Sequence, residues 1–122
     1  MIGYITLGSN DPKTHAAFYD AVLGALGAVR SHSTPKLAAW SFGPKRPQVM
    51  LTRPFDAGRA TAGNGTMLAL MARNRETVDE VHALALSLGA SDEGAPGPRG
   101  SGFYAGYFRD PAGNKLNVFV LE

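Results

Sequence analysis

Hydrophobic and polar positions alternate along residues 2–8, Ile-Gly-Tyr-Ile-Thr-Leu-Gly, with the period of two expected of a half-buried strand. The period changes at Asn10-Asp11-Pro12. A side-chain oxygen there suits a helix cap, and a proline loses nothing by lacking an N–H in the first turn. Phe18, Tyr19, Val22, Leu23 and Leu26 then mark one helical face, and Gly24 and Gly27 supply the stop. Strands follow over about 28–34, 37–43 and 47–53, divided by Pro35 and by the turn Gly43-Pro44-Lys45-Arg46-Pro47.

Residues 54–65 are loop-like, and after them the same order recurs. A strand at 66–72 leads to a helix capped near Asn74, with Val78, Val81, Ala85 and Leu88 on one face. Gly- and Pro-rich residues 94–102 read as a connection. Strands at about 103–109 and 114–121 close the chain, joined by Asp110-Pro111-Ala112-Gly113-Asn114. The repeat is visible in the letters: Tyr4 precedes Leu26-Gly27-Ala28 by 22 residues, and Met67 precedes Leu88-Gly89-Ala90 by 21. Two strand–helix–strands modules offset by roughly sixty residues explain this most simply. We expect one domain over 1–122, with module one about 1–53, a linker at 54–65 and module two about 66–122.

Strand parity divides the side chains into two sets. Ile5 and Leu7, Val49 and Leu51, Leu68 and Leu70, and Leu116, Val118 and Val120 are uniformly aliphatic and belong under helices. The opposite set is mixed: Tyr4 and Thr6; Gln48, Met50 and Thr52; Met67, Ala69 and Met71; Asn117 and Phe119. Three methionines and two aromatics are too apolar for an open surface, so this face reads as the lining of a cleft with a few polar handles. A second layer of core is the plainer alternative. Trp40, Tyr104 and Tyr107 are further candidates for the lining, although strand 103–109 shows no clear inward face.

Composition narrows the chemistry. With 44% hydrophobic and 18% charged residues in 122, the chain can bury a core and is neither disordered nor membrane-spanning. Twelve Lys and Arg against ten Asp and Glu leave +2, with the bases spread singly apart from Lys45-Arg46, so nucleic acid is a poor partner. Zero cysteines exclude disulfides, thiolate nucleophiles, cysteine zinc sites and iron–sulfur clusters. No apolar run matches a bilayer, and Met1-Ile2-Gly3-Tyr4 does not open a signal peptide, so a cytoplasmic protein is expected.

These residues resemble the vicinal oxygen chelate superfamily, which includes glyoxalase I, extradiol dioxygenases, fosfomycin resistance enzymes and bleomycin-binding proteins. The resemblance spans nearly the whole chain. It is carried by the first strand into Ser9-Asn10-Asp11, the segment from Ala17 to Leu23, Gly63-Asn64-Gly65-Thr66, and most specifically the run from Tyr107 to Leu116. It implies an α+β fold of two paired βαβββ modules forming a curved half-barrel around a ligand, and a homodimer. It also implies metal ligands on the first and last strands of each module. Those positions fall on Tyr4 and Met67, on Asn117, and less clearly on Gln48 or Met50, where histidines and a glutamate would be expected. A phenol, a thioether and amides are poor ligands for a hard or borderline divalent ion.

The histidines do not repair this. His15 and His82 lie on the two helices beside the apolar stripes, where packing is the usual role, and His32 stands alone on a strand. Asp and Glu fall on helices, caps, loops or the terminus, with Asp92 and Glu93 in a loop. We therefore expect no metal and no other cofactor. Gly63-Asn64-Gly65 precedes a strand, not a helix, so it is a turn and no phosphate loop. Ser41, Ser87 and Ser101 lack a nucleophile elbow.

Tyr4, Gln48, Met50, Met67, Asn117 and Phe119 are the candidate ligand-binding residues. Arg53 and Arg109 end strands and could take a carboxylate or phosphate at the cleft mouth. The favoured function is a metal-free module that binds a small organic ligand, although a cationic ligand such as bleomycin suits a basic chain poorly. The alternative is a lyase, isomerase or dioxygenase that uses Tyr4 as acid–base, flanked by Gln48 and Asn117, or a noncanonical metal site. A member with a filled cavity and a structural role is the third possibility.

Overall fold

The computed structural model describes residues 1–122. It divides into two compact units, Met1–Thr61 and Ala62–Glu122. The first contains β1 (Tyr4–Gly8), α1 (Pro12–Gly24), β2 (Val29–Ser33), β3 (Leu37–Ser41) and β4 (Gln48–Thr52). The second contains β5 (Leu68–Met71), α2 (Arg75–Ser87), β6 (Ser91–Pro98), β7 (Phe103–Arg109) and β8 (Lys115–Leu121). Each unit is a βαβββ module with one open four-stranded sheet, ordered β1-β4-β3-β2 in the first and β5-β8-β7-β6 in the second. The outer pairs β1–β4 and β5–β8 are parallel, as a helical crossover requires, and the other pairs are antiparallel.

The helices start and stop as their local chemistry dictates. Asp11 accepts from the Thr14 N–H at 3.3 Å and Asn74 from the Thr77 N–H at 2.8 Å, satisfying donors of the first turns. At the other end the repeated Leu-Gly-Ala letters close both helices in the same way. The Leu23 carbonyl accepts from the N–H groups of Leu26 and Ala28, and the Ala85 carbonyl from those of Leu88 and Ala90. Gly27 and Gly89, at φ 96° and 100°, supply the left-handed residue that this reversal needs.

Parity holds in both sheets. In unit 1, Phe18, Tyr19, Val22 and Leu23 of α1 are buried together with Leu7, Ala38, Trp40, Val49 and Leu51. The Tyr19 and Trp40 rings lie 5.4 Å apart, and the Trp40 indole N–H donates to Asp20 at 2.8 Å. Trp40 therefore belongs to the helix-side core and does not line a cleft. In unit 2, Val78, Val81, His82 and Ala85 of α2 are buried with Leu70, Phe108, Leu116, Val118 and Val120. Gly106 admits the His82 ring to this layer, since a Cβ there would stand 3.0 Å from His82 Cδ2 and 3.1 Å from Pro96 Cγ. No helix is long and apolar enough to cross a membrane.

One strand departs from expectation. Residues 94–102 read as a connection, yet Ser91–Pro98 forms β6 on the edge of the second sheet. An edge strand tolerates Pro96 and Pro98 because one row of its backbone groups is not needed for pairing, and glycine suits its irregular register. The register slips on either side of Gly94, whose φ is +156°. Asp92 and Glu93, expected in a loop, consequently lie on this strand.

Candidate functional site

Each sheet has one face under its helix and one face without a helix. On the helix-free face of unit 1, Tyr4 pairs in register with Gln48 and Thr6 with Met50. The Tyr4 ring is 63% exposed. Gln48 does not hydrogen-bond the Tyr4 hydroxyl: its Oε1 accepts from the Ser31 hydroxyl at 3.1 Å. Arg53 is not on this face. It follows β4, is exposed, and stands near Asp11, whose carboxyl is held below its ordinary range chiefly by hydrogen bonds from Thr14 and in smaller part by the charges of His15 and Arg53.

The helix-free face of unit 2 is richer. Ala69, Asn117 and Tyr107 form one row across β5, β8 and β7, and Met71, Phe119 and Ala105 form the next. Met67 and Met71 are 41% and 62% exposed. The Phe103 and Phe119 rings meet at 5.2 Å. Asn117 is only 1% exposed, and its Oδ1 is the one buried side-chain polar atom without a hydrogen-bond partner. Such an acceptor costs about 1–3 kcal/mol of desolvation when left unmade.

The facing of β7 is settled by its neighbours. Tyr104 points to the helix side, where its hydroxyl donates to Asp79 of α2 at 2.6 Å while the Arg75 guanidinium lies 4.6 Å from its ring centroid. That hydrogen bond, then burial and the Asp79 charge, push its phenol upward. Tyr104 is thus no lining residue. Tyr107 points the other way, beside Asn117, with the Arg99 guanidinium carbon 5.6 Å and the Lys115 ammonium 5.8 Å from its ring centroid. Arg109 is already engaged: its Nε donates to Glu93 at 2.7 Å and its Nη1 to the Gly113 carbonyl at 2.9 Å.

Arg99 escapes a reading of the sequence because it sits among glycines and prolines that look like a loop. The usable signal is the pair of glycines themselves. Gly94 pairs with Tyr107 and Gly97 with Ala105, so both present bare backbone to the helix-free face. A Cβ would meet the Arg99 guanidinium at 3.4 Å from Gly94 and 3.0 Å from Gly97. The guanidinium lies in the trough so formed, donating to the Ala95 carbonyl at 2.5 Å and the Pro98 carbonyl at 3.3 Å.

The positions that the resemblance assigns to metal ligands carry a phenol at Tyr4, a thioether at Met67, an amide at Asn117 and, less clearly, the amide of Gln48 or the thioether of Met50. No three His, Asp or Glu side chains gather anywhere in the chain as a metal-binding set. These donors do not fit a divalent ion that takes imidazole nitrogen or carboxylate oxygen. Another pairing attracts notice: Ser9 Oγ and His15 Nδ1 lie 2.7 Å apart, and Ser9 Oγ also accepts the Asp11 N–H at 3.0 Å. Ser9 is fully buried, so the pair shapes the entry to α1 and offers no nucleophile.

The module order and sheet topology are those of a known class. The family model of the Glyoxalase/Bleomycin resistance protein/Dioxygenase superfamily matches residues 1–118, and the chain belongs to that superfamily. Among solved structures, a glyoxalase/bleomycin resistance protein from Albidiferax ferrireducens is 32% identical, with a TM-score of 0.90, covering 100% of this chain and 99% of that one. A glyoxalase/bleomycin resistance protein/dioxygenase family enzyme from Burkholderia phytofirmans is 18% identical, with a TM-score of 0.82 and 98% of each chain covered. A lactoylglutathione lyase from Agrobacterium tumefaciens is 24% identical, with a TM-score of 0.73, covering 98% of this chain and 92% of that one. At these identities the last two show likeness of fold alone. No curated protein matches the chain.

Proposed function

We propose that this protein binds a small organic molecule on the helix-free faces of its sheets, without a metal ion. Asn117 carries this reading: a buried amide oxygen with no partner is stabilised when a bound hydroxyl or N–H donates to it. The apolar side chains around it, Met71 and Phe119 among them, suit the body of such a ligand. A homodimer belongs to the same reading, because a second copy would shelter the exposed Tyr4, Met67 and Met71 side chains.

The competing reading, a lyase, isomerase or dioxygenase with Tyr4 as acid–base, has less support. The Tyr4 ring is largely exposed and its hydroxyl makes no hydrogen bond, whereas proton transfer needs a positioned group. Two measurements test the proposal. Titration with zinc, nickel, manganese and iron should give no stoichiometric binding; one tightly held ion per chain overturns the metal-free assignment. Native mass spectrometry of the purified protein should show a co-purified small molecule that Asn117→Leu loses, and retention in that variant removes Asn117 from the site.

A further inference from the structure

We propose that the helix-free face of unit 2 is an anion site, so that the ligand there carries a carboxylate or phosphate-type headgroup, with Arg99 and Lys115 as its cations. The proposal rests on the small-molecule reading above and names the chemistry of that ligand. Arg99 and Lys115 both lie against the Tyr107 ring, and neither has a carboxylate partner. The acidic groups of this unit are disposed elsewhere. Glu93 is taken by Arg109, Asp92 by His82 and the Gly94 N–H, Glu122 by Arg75, and Asp79 by the Tyr104 hydroxyl. Asp110 holds its own turn through Ala112 and Asn114, and Glu76 and Glu80 lie on α2. The face thus has Arg99, Lys115 and Arg109 against Glu93 alone, an uncompensated positive field.

The guanidinium is also held in place before any ligand arrives. The trough over Gly94 and Gly97 receives it, and two backbone carbonyls fix it while leaving its charge unpaired. Preorganisation of this kind reduces the ordering cost of binding an anion. Tyr107 stands in register with Asn117, at the roughly 5 Å spacing of cross-strand neighbours. A headgroup over Tyr107 therefore sits one cross-strand spacing from Asn117, whose orphaned Oδ1 is met by a hydroxyl or N–H of the same small molecule once that molecule displaces the side chains covering it. A hydroxy acid with an apolar body satisfies all three features.

The test uses the full chain and amide chemical shifts, with salicylate, benzoate, inorganic phosphate and neutral salicylamide as probes. Salicylate and benzoate should perturb amides around Gly97, Tyr107 and Lys115, more weakly at high salt, and salicylate more tightly than benzoate. Phosphate perturbing the same amides while benzoate does not would assign the headgroup to the phosphate type. Arg99→Gln and Lys115→Gln should each weaken anion binding by about three- to tenfold. Gly97→Ala, which keeps every charge but fills the trough, should weaken it severalfold, whereas Lys13→Gln on α1 should not change it. Equal loss in Lys13→Gln, or no localised shift with any of the three anions, overturns the site. Salicylamide binding this face as well as salicylate overturns the anion site alone and leaves the small-molecule reading standing.

Discussion

The two units share strand order, helix placement and helix stops, yet their helix-free faces differ in chemistry. On β1 and β4 that face presents Tyr4, Thr6, Gln48, Met50 and Thr52, with no charge among them, and Gln48 is satisfied by Ser31. In unit 2 the corresponding face presents an orphaned buried amide, an aromatic pair and a tyrosine flanked by two unpaired cations. The contrast shows that the scaffold does not set the chemistry. A βαβββ module needs its helix-side residues to be apolar and leaves the other face open to variation, and here the variation is concentrated in the second copy.

The helix-side layers should behave alike, and substitution of their largest members gives the largest effects. Trp40→Ala and Phe108→Ala each remove a fully buried aromatic and should destabilise by about 3–5 kcal/mol in urea unfolding. A cost confined to one of them would mean that the two cores are not equivalent. Gly106→Ala should cost about 1–3 kcal/mol, because the added methyl meets His82 and Pro96. Gly24→Ala in unit 1 has no atom within 4 Å and should cost nothing, so a matching loss there would refute the packing explanation.

Asn117→Leu sharpens the contrast further. It removes an unsatisfied acceptor of similar bulk, so stability should stay level or rise, by no more than the ~1–3 kcal/mol such a group costs. A clear loss of stability would show that the amide is structural. Asp20 in unit 1 gives a smaller loss than the core substitutions. Burial raises its carboxyl, but hydrogen bonds from Arg30 and Trp40 and the Arg30 charge outweigh this and hold it below the ordinary 3.8. A depressed folded value stabilises fully above the ordinary one and loses that contribution as pH falls through the folded one. Asp20→Asn should therefore cost up to about 1 kcal/mol near neutral pH, with the gap to wild type closing under acid unfolding conditions. A gap independent of pH would contradict the assignment.

Much of this was legible in the letters. The run from Asp110 to Asn114 folds as the expected turn: Asp110 Oδ1 accepts the N–H groups of Ala112 and Asn114, and Gly113 takes φ 96°. Gly63-Asn64-Gly65 likewise turns, with the Thr66 N–H on the Gly63 carbonyl at 3.2 Å. Parity placed Tyr4, Gln48, Met50, Asn117 and Phe119 away from the helices, because alternation is a local property of extended backbone; Met67 precedes β5 and has no register. β6 was hidden because glycine and proline mark loops and tolerant edge strands equally, and only pairing with β7 tells them apart.

Local patterning, then, determined seven of the eight strands, all but β6, together with the caps, the helix stops and the division of those strands into two faces, since all of these follow from neighbours in sequence. Tertiary structure decided the facing of Trp40 and Tyr104, the pairing that occupies Arg109, and the position of Arg53 beside Asp11. It also laid Arg99 across Gly94 and Gly97 and left Asn117 Oδ1 buried without a partner. Charge pairing and burial depend on which side chains meet across strands distant along the chain, and no periodicity in the sequence records those meetings.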